Sequence, residues 1–402
     1  MGSISFRGGL LKKAVNRAKN MKNTIIWIVA AAVILGGIWL YQTKNGDQVG
    51  TLENGDQKTL NIGALLPFSG PAAFYGDQAR MGVELAKEEM AATYPNLNIV
   101  VSYEDSFFTP KGGVDGYNKL KNTSGLDAVI TGGSPVSMAV AALSKQDDLL
   151  QMGIFSATDL YTSPDDLTFR VTTRVSVDLE NTIAFYLEKK FSRLAIVYLN
   201  NDFGASFRNS LKQKIDQDKL PISVVADEGF LLDASDFRTI LLKVKQSNPD
   251  VIFIAGTTPH NAKLLVQAKE LGIKTQITSV RTIEDPNLFK TAGNAADGVI
   301  FTAIFDADSD HQPTKDFIKS FFERYNTTPD TYAAEGYEGM KLTARALAKC
   351  TSVDAECLKE VMADLSDHSP MFKDFHFDQN GDPLYALFLK TIKNGQFVKL
   401  EN

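Results

Sequence analysis

The sequence predicts two doubly wound α/β lobes built on parallel sheets and preceded by one apolar N-terminal segment. Three observations predict it. Short apolar strands alternate with amphipathic helices from Leu60 onward, the alternation restarts after Asp178, and an unbroken apolar run stands ahead of both series. Repeated strand–helix units call for parallel strands with helices on both faces. The length agrees, since 402 residues exceed one average domain and supply cores for two. A 44% hydrophobic and 22% charged composition excludes disordered and collagen-like chains.

Residues 1–24 carry six basic side chains (Arg7, Lys12, Lys13, Arg17, Lys19, Lys22) and no acidic one. Removing them from the net charge of −6 leaves −12 on the rest of the chain. An acidic body argues against nucleic-acid binding, which needs a basic stripe on the folded surface. Ile25–Tyr41 follows as 17 apolar residues, at the lower edge for a membrane span and compatible with a long signal-peptide core. The basic tip places residues 1–24 in the cytoplasm and the body outside. Trp39, Leu40 and Tyr41 suit an interfacial belt better than a cleavage site, so an uncleaved anchor over 25–41 is the reading and a cleaved signal the alternative. Residues 42–57 hold almost nothing a core would bury and read as a solvated linker.

In the first lobe, strands are expected at Leu60–Leu66, Asn98–Tyr103, Ala128–Thr131 and Met152–Ser156. Helices Tyr75–Ala92, Lys111–Asn122 and Val136–Leu150 alternate with them. The second series runs from a helix over 178–190 through strands Leu194–Leu199, Ile222–Phe230, Val251–Ala255 and Thr275–Thr278. Its helices are Phe203–Asp218, Ser235–Ser247 and Asn261–Leu271. Three further helices (Thr314–Tyr325, Tyr332–Lys349, Asp354–Leu365) precede a hairpin, in which Phe375–Asp378 and Tyr385–Ile392 flank Asn380-Gly381. A last strand, Gln396–Leu400, follows Asn394-Gly395. Three crossings, near Val175, Ala303 and Pro370, divide the body into 58–175 plus 304–369 and 176–303 plus 370–402.

The sequence contains no G-x-G-x-x-G, Walker, G-x-S-x-G or H-E-x-x-H motif. Its four histidines stand apart from one another and from the cysteines, which argues against an enzyme and implies no cofactor and no metal site. Asp306-Ala307-Asp308-Ser309-Asp310 reads as a solvated loop. Cys350 and Cys357 are expected to pair outside the membrane, where the intervening break between helices lets the chain double back. The alternative is two small thiols. Ser134–Ser137 lies between a strand and its helix, where free N–H groups suit a carboxylate; capping by Ser137 is the simpler reading.

An ordered set of motifs carries a resemblance. Ser69-Gly70-Pro71 with Tyr75-Gly76 follows the first strand; Tyr103-Glu104-Asp105 and Ser156-Ala157-Thr158 follow later ones. Phe169-Arg170, Asn201-Asp202-Phe203-Gly204, Leu271-Gly272-Ile273 and Phe377-Asp378 through Gly381-Asp382 complete the series, with Asn394-Gly395-Gln396-Phe397-Val398 last. Over residues 58–402 this resembles the type I periplasmic binding proteins of the leucine/isoleucine/valine-binding family. The resemblance implies two lobes that close on a small ligand, an amino acid or other small carboxylate, and pass it to an ABC permease. A sensor that signals the same closure through a partner protein is the second reading.

The same resemblance implies site residues. Ser134, Ser137, Ser156 and Thr158 would hold the ligand carboxylate, although Gly132-Gly133-Ser134-Pro135-Val136-Ser137 lacks the family's adjacent serines. Tyr75 and Phe203 would be aromatic walls, one from each lobe, with packing as their ordinary alternative. Thr257 stands where an aromatic hydroxyl often helps. Arg281 stands where the family's carboxylate accepts the ligand's ammonium. A guanidinium there would favour a second carboxylate on the ligand; a register slip would instead give Glu284 the acidic role.

Overall fold

The computed structural model describes residues 58–350, 354–365, 372 and 375–400. The basic tip, the apolar run, the linker and the crossing expected near Pro370 lie outside them. No described helix is long and apolar enough to cross a membrane.

Five parallel strands make the first sheet: β1 (Lys58–Leu66), β2 (Leu97–Asp105), β3 (Ala128–Gly132), β4 (Leu150–Ile154) and β5 (Thr168–Arg170). Their order is β2-β1-β3-β4-β5. β3 and β4 are buried at every position, as strands covered on both faces must be. Helices α1 (Ala73–Thr93), α2 (Pro110–Ser124) and α3 (Ser134–Gln146) connect β1 to β4. The chain then enters α4 (Val175–Glu188) and a second sheet. That sheet contains β6 (Arg193–Leu199), β7 (Ser223–Phe230), β8 (Val251–Ala255), β9 (Gln276–Ser279) and β10 (Ile300–Ala303). Between them run α5 (Asp202–Gln217), α6 (Arg238–Gln246), α7 (Thr258–Glu270) and the short α8 (Leu288–Ala292). Returning to the first lobe, α9 (Gln312–Tyr325), α10 (Thr331–Lys349) and α11 (Ala355–Leu365) follow.

Each sheet changes winding direction once, at β1/β3 and at β6/β8. Loops at such switch points open a crevice beyond the carboxyl ends of the strands. The Ser69–Tyr75, Gly133–Ser137, Asn201–Phe203 and Gly256–Thr258 segments therefore all open toward the cleft. Gly76 has a steric reason: a Cβ there would meet Pro67 O at 1.8 Å.

The C-terminus differs from expectation. The Asn380-Gly381 turn joins only β11 (His376–Phe377) to β12 (Pro383–Leu384). Asp378 closes it by accepting from Asn380 N and Asp382 N. The longer strand β13 (Phe388–Lys393) runs antiparallel to β10, and β14 (Gln396–Lys399) pairs with it. Positive φ at Asn394 and Gly395 (51° and 73°) makes their turn, the geometry that two-residue hairpins demand. The small β11–β12 ribbon stays on the first lobe through Arg170–Asp382 and the Phe169–Phe377 edge contact. The last crossing thus falls at 385–387, later than the expected division at 370. Tyr385 Oη pins it by donating to Val171 O at 2.9 Å. β5, β10 and α8 were not expected, being three to five residues long, too short to show a period.

Helices α1 and α10 cross at glycine. A Cβ on Gly336 would stand 2.2 Å from Ala79 O, which is backbone that cannot swing aside. Gly336→Val is expected to cost about 3 kcal/mol by prising the helices apart; an unchanged melting temperature would contradict this packing.

Cys350 and Cys357 form a disulfide, Cα–Cα 5.9 Å, that ties the end of α10 to the first turn of α11. The closed loop is short, so Cys357→Ser is expected to cost only about 2–3 kcal/mol. Intact mass under non-reducing conditions checks the bond directly; two free thiols would refute it.

Candidate functional site: an aromatic cleft between the lobes

The carboxyl ends of both sheets converge on a cleft lined by six aromatic rings: Tyr75, Phe108, Phe155 and Tyr332 from the first lobe, Phe203 and Phe207 from the second. Ala157, Thr172, Arg281 and Thr282 complete the lining. The free space is about 20 Å³, room for one water molecule, so the lobes are closed. Tyr75 stacks on Tyr332 at 4.4 Å, and Phe155 meets Tyr332 edge-on at 5.6 Å. Phe108 reaches Phe203 across the cleft at 6.5 Å.

Polar contacts fasten the closure. Thr258 N donates to Tyr75 Oη at 2.7 Å, and the two hydroxyls bond at 2.8 Å. Thr158 Oγ1 bonds Ser206 Oγ at 2.6 Å. Asp159 accepts from Ser176 N, Ser176 Oγ and Ser210 Oγ. Burial pushes the Tyr75 phenol well up, so it is a neutral hydrogen-bonding group.

Of the expected site residues, Tyr75, Phe203 and Arg281 line the cleft and the hydroxyl set stands behind it. Ser137 Oγ bonds Thr131 Oγ1 at 2.8 Å and Ser156 Oγ at 2.5 Å. Gln151 Nε2 donates to Thr131 Oγ1 and to Ser137 O. Ser134 Oγ accepts from Thr158 N at 3.3 Å. Capping by Ser137 is not realised: α3 starts at Ser134, with Gly133 (φ 92°) as its cap. Thr257 also differs, its hydroxyl bonding His260 Nδ1 at 2.7 Å. Successive residues entering a helix point about 100° apart, and it is Thr258 that faces Tyr75.

Arg281 reaches the cleft with its charge already matched. Its guanidinium donates to Asp178, to Thr173 Oγ1 at 3.1 Å and to Glu335 Oε1 at 3.5 Å. One cation against two carboxylates leaves no surplus to attract a ligand anion, so the expected preference for a second carboxylate loses its basis. Glu284 takes no part either: it binds Lys390 beneath the cleft.

The pattern along the chain missed Phe108, Phe155, Asp178, Tyr332 and Glu335. Phe108 and Phe155 adopt positive φ (57° and 41°), which is costly for aromatic residues and held only where surroundings impose it. Glu335 and Tyr332 come from α10, which follows the parallel strands of both sheets in sequence.

Two α/β lobes that meet over a closed, two-sided cleft define a hinged binding protein. The chain belongs to the periplasmic binding protein family, whose model matches residues 59–396, and within it to the type I proteins of the leucine/isoleucine/valine-binding group. It is 26% identical over 330 residues to Leu/Ile/Val-binding protein homolog 1 of Brucella abortus, covering 80% of this chain and 87% of that one. To the Leu/Ile/Val-binding protein of Escherichia coli it is 29% identical over 278 residues, 66% and 72% of the two chains. The fold is similar to the leucine-binding protein of Thermotoga maritima, with TM-score 0.79 at 21% identity over 85% of this chain and 98% of that chain. It is also similar to a solute-binding protein of Rhodopseudomonas palustris crystallised with benzoate, with TM-score 0.76 at 22% identity over 85% and 96%.

Proposed function

We propose that this chain is a membrane-tethered solute receptor. It captures a small ligand, an amino acid or related compound, by closing its lobes and hands it to an ABC-type permease. The observation that carries the reading is a cleft walled from both lobes, whose closing contacts (Tyr75–Thr258, Thr158–Ser206, Phe108–Phe203) run across it. Opening breaks few bonds, so a modest differential affinity suffices to shift the population. The relatives' names, with Leu/Ile/Val as their ligands, support the solute class. The tether rests on Ile25–Tyr41 and the basic residues before it.

Mass spectrometry of small molecules released from the full-length protein, after extraction in mild detergent, tests the reading. A single compound bound one to one and raising the melting temperature is the expected result. Chemical conversion of that compound would overturn it. N-terminal sequencing tests the tether separately; a mature chain beginning after Tyr41 would refute it.

A further inference from the structure

We propose that the solute held in this cleft is an organic cation, a tertiary or quaternary ammonium compound lodged against the aromatic rings and balanced by the carboxylates around them. The inference rests on the receptor reading and names the ligand's charge class.

The six rings do not decide the class by themselves, because apolar walls suit an aromatic acid or a branched aliphatic chain equally well. An aromatic ring does carry a quadrupole, whose π face attracts a desolvated ammonium and does nothing for a carboxylate.

Charge decides. The cleft lining holds no carboxylate, but Asp178, Glu284, Asp285 and Glu335 are buried behind it, and Asp330 Oδ2 is buried with no hydrogen-bond partner. Facing them are two buried cations, Arg281 on Asp178 and Glu335, and Lys390 on Glu284. Asp285 and Asp330 form no ion pair among the described residues. Asp285 accepts from Asn287 N, and Asp330 Oδ1 accepts from Ala333 N.

Asp285 belongs to the second lobe and Asp330 to the first, so closing the lobes brings negative charge toward negative charge. Both bear on the phenols of Tyr75 and Tyr332, whose rings line the cleft. Tyr332, 1% exposed, keeps its hydroxyl buried without a partner, and so does Thr331 beside it. Unpartnered polar atoms of Asp330, Thr331 and Tyr332, with Asp285 from the other lobe, thus stand behind Tyr75 and Tyr332, two of the rings that line the chamber. Without a cation the excess is relieved by a proton: burial, with Asp285 and Glu284 nearby, pushes Asp330 up to about 8. A ligand ammonium takes the place of that proton. A ligand carboxylate adds to the repulsion instead.

Calorimetric titration of the full-length protein in mild detergent tests this with named probes: choline, benzyltrimethylammonium, the uncharged choline isostere 3,3-dimethyl-1-butanol, leucine and benzoate. The expected result is that an ammonium probe binds at least about tenfold more tightly than the uncharged isostere. Binding should release a proton, so that the measured heat depends on the buffer and affinity rises as pH approaches about 8. Asp330→Asn should lower that affinity about tenfold and abolish the proton release. Asp285→Asn gives an independent check on affinity should the first variant fold poorly. If leucine, benzoate or the uncharged isostere binds as tightly as the ammonium probes, the cation inference falls and the receptor reading stands. If no probe of any class binds, the cation inference falls, and the receptor reading is decided by the co-purifying solute.

Discussion

Arg281→Met is expected to destabilise the protein by about 3–5 kcal/mol, because it leaves two buried carboxylates without their cation. Asp178 and Glu335 are 3% and 0% exposed, so water cannot take over. The loss should spread beyond one contact. Arg281 follows β9, Asp178 lies on α4 just past the first crossing, Glu335 lies on α10 of the other lobe, and Thr173 sits in the crossing itself. The guanidinium therefore joins both lobes where the chain passes between them. Glu335 is fixed further by accepting from Phe155 N and Thr172 Oγ1, which couples the ion triad to a cleft-lining ring. Urea unfolding measures the loss. Combining Arg281→Met with Asp178→Asn and Glu335→Gln should recover most of it, as neutral partners no longer need the cation. A single-mutant cost below about 1 kcal/mol would mean that the carboxylates reach solvent.

Asp382→Ala is expected to cost a similar amount, about 3–5 kcal/mol. Arg170 is 0% exposed and donates from Nε to Asp382 Oδ1 at 2.5 Å. Its Nη1 donates to Ser156 O at 2.9 Å and Thr158 O at 2.7 Å, and Nη2 to Thr162 Oγ1 at 2.9 Å. Removing the carboxylate strands the guanidinium and loosens the loop that carries Thr158 into its contact with Ser206. Amide exchange over residues 155–162 should accelerate along with the fall in stability. Asp382→Asn keeps an acceptor and should cost less. Equal stability of Asp382→Ala and the parent chain would show that the ribbon carrying Asp382 does not hold Arg170.

Much of this architecture is legible in the chain. Apolar strands and amphipathic helices give the two lobes, and the resemblance to the leucine/isoleucine/valine-binding proteins puts Tyr75 and Phe203 on facing walls of the cleft. What escapes is set by partners far away in sequence. Arg281 sits on the cleft as its register predicts, yet its role is decided by Asp178 and Glu335, 103 and 54 residues away. Thr257 and Thr258 are adjacent and alike, and only the helix entry angle turns the second toward Tyr75. The hydroxyls of Ser137 and Ser156 are right for a carboxylate, but each finds the other first. The last crossing was misplaced because the Asn-Gly signal occurs twice, and Asp378 with Asp382 makes the first occurrence a short ribbon.

The central claim is that the lobes close on a small solute. β2 and β7 are the sheet edges farthest from the crossings, so the exposed residues Lys111 and Asp233, beyond their ends, flank the rim that opens. Spin labels at Lys111→Cys and Asp233→Cys in the full-length protein report that gap. The account predicts a broad, longer distribution after the co-purifying solute is dialysed away. Adding the solute back should shorten and narrow it. A distribution that stays the same while the solute demonstrably binds would contradict the account.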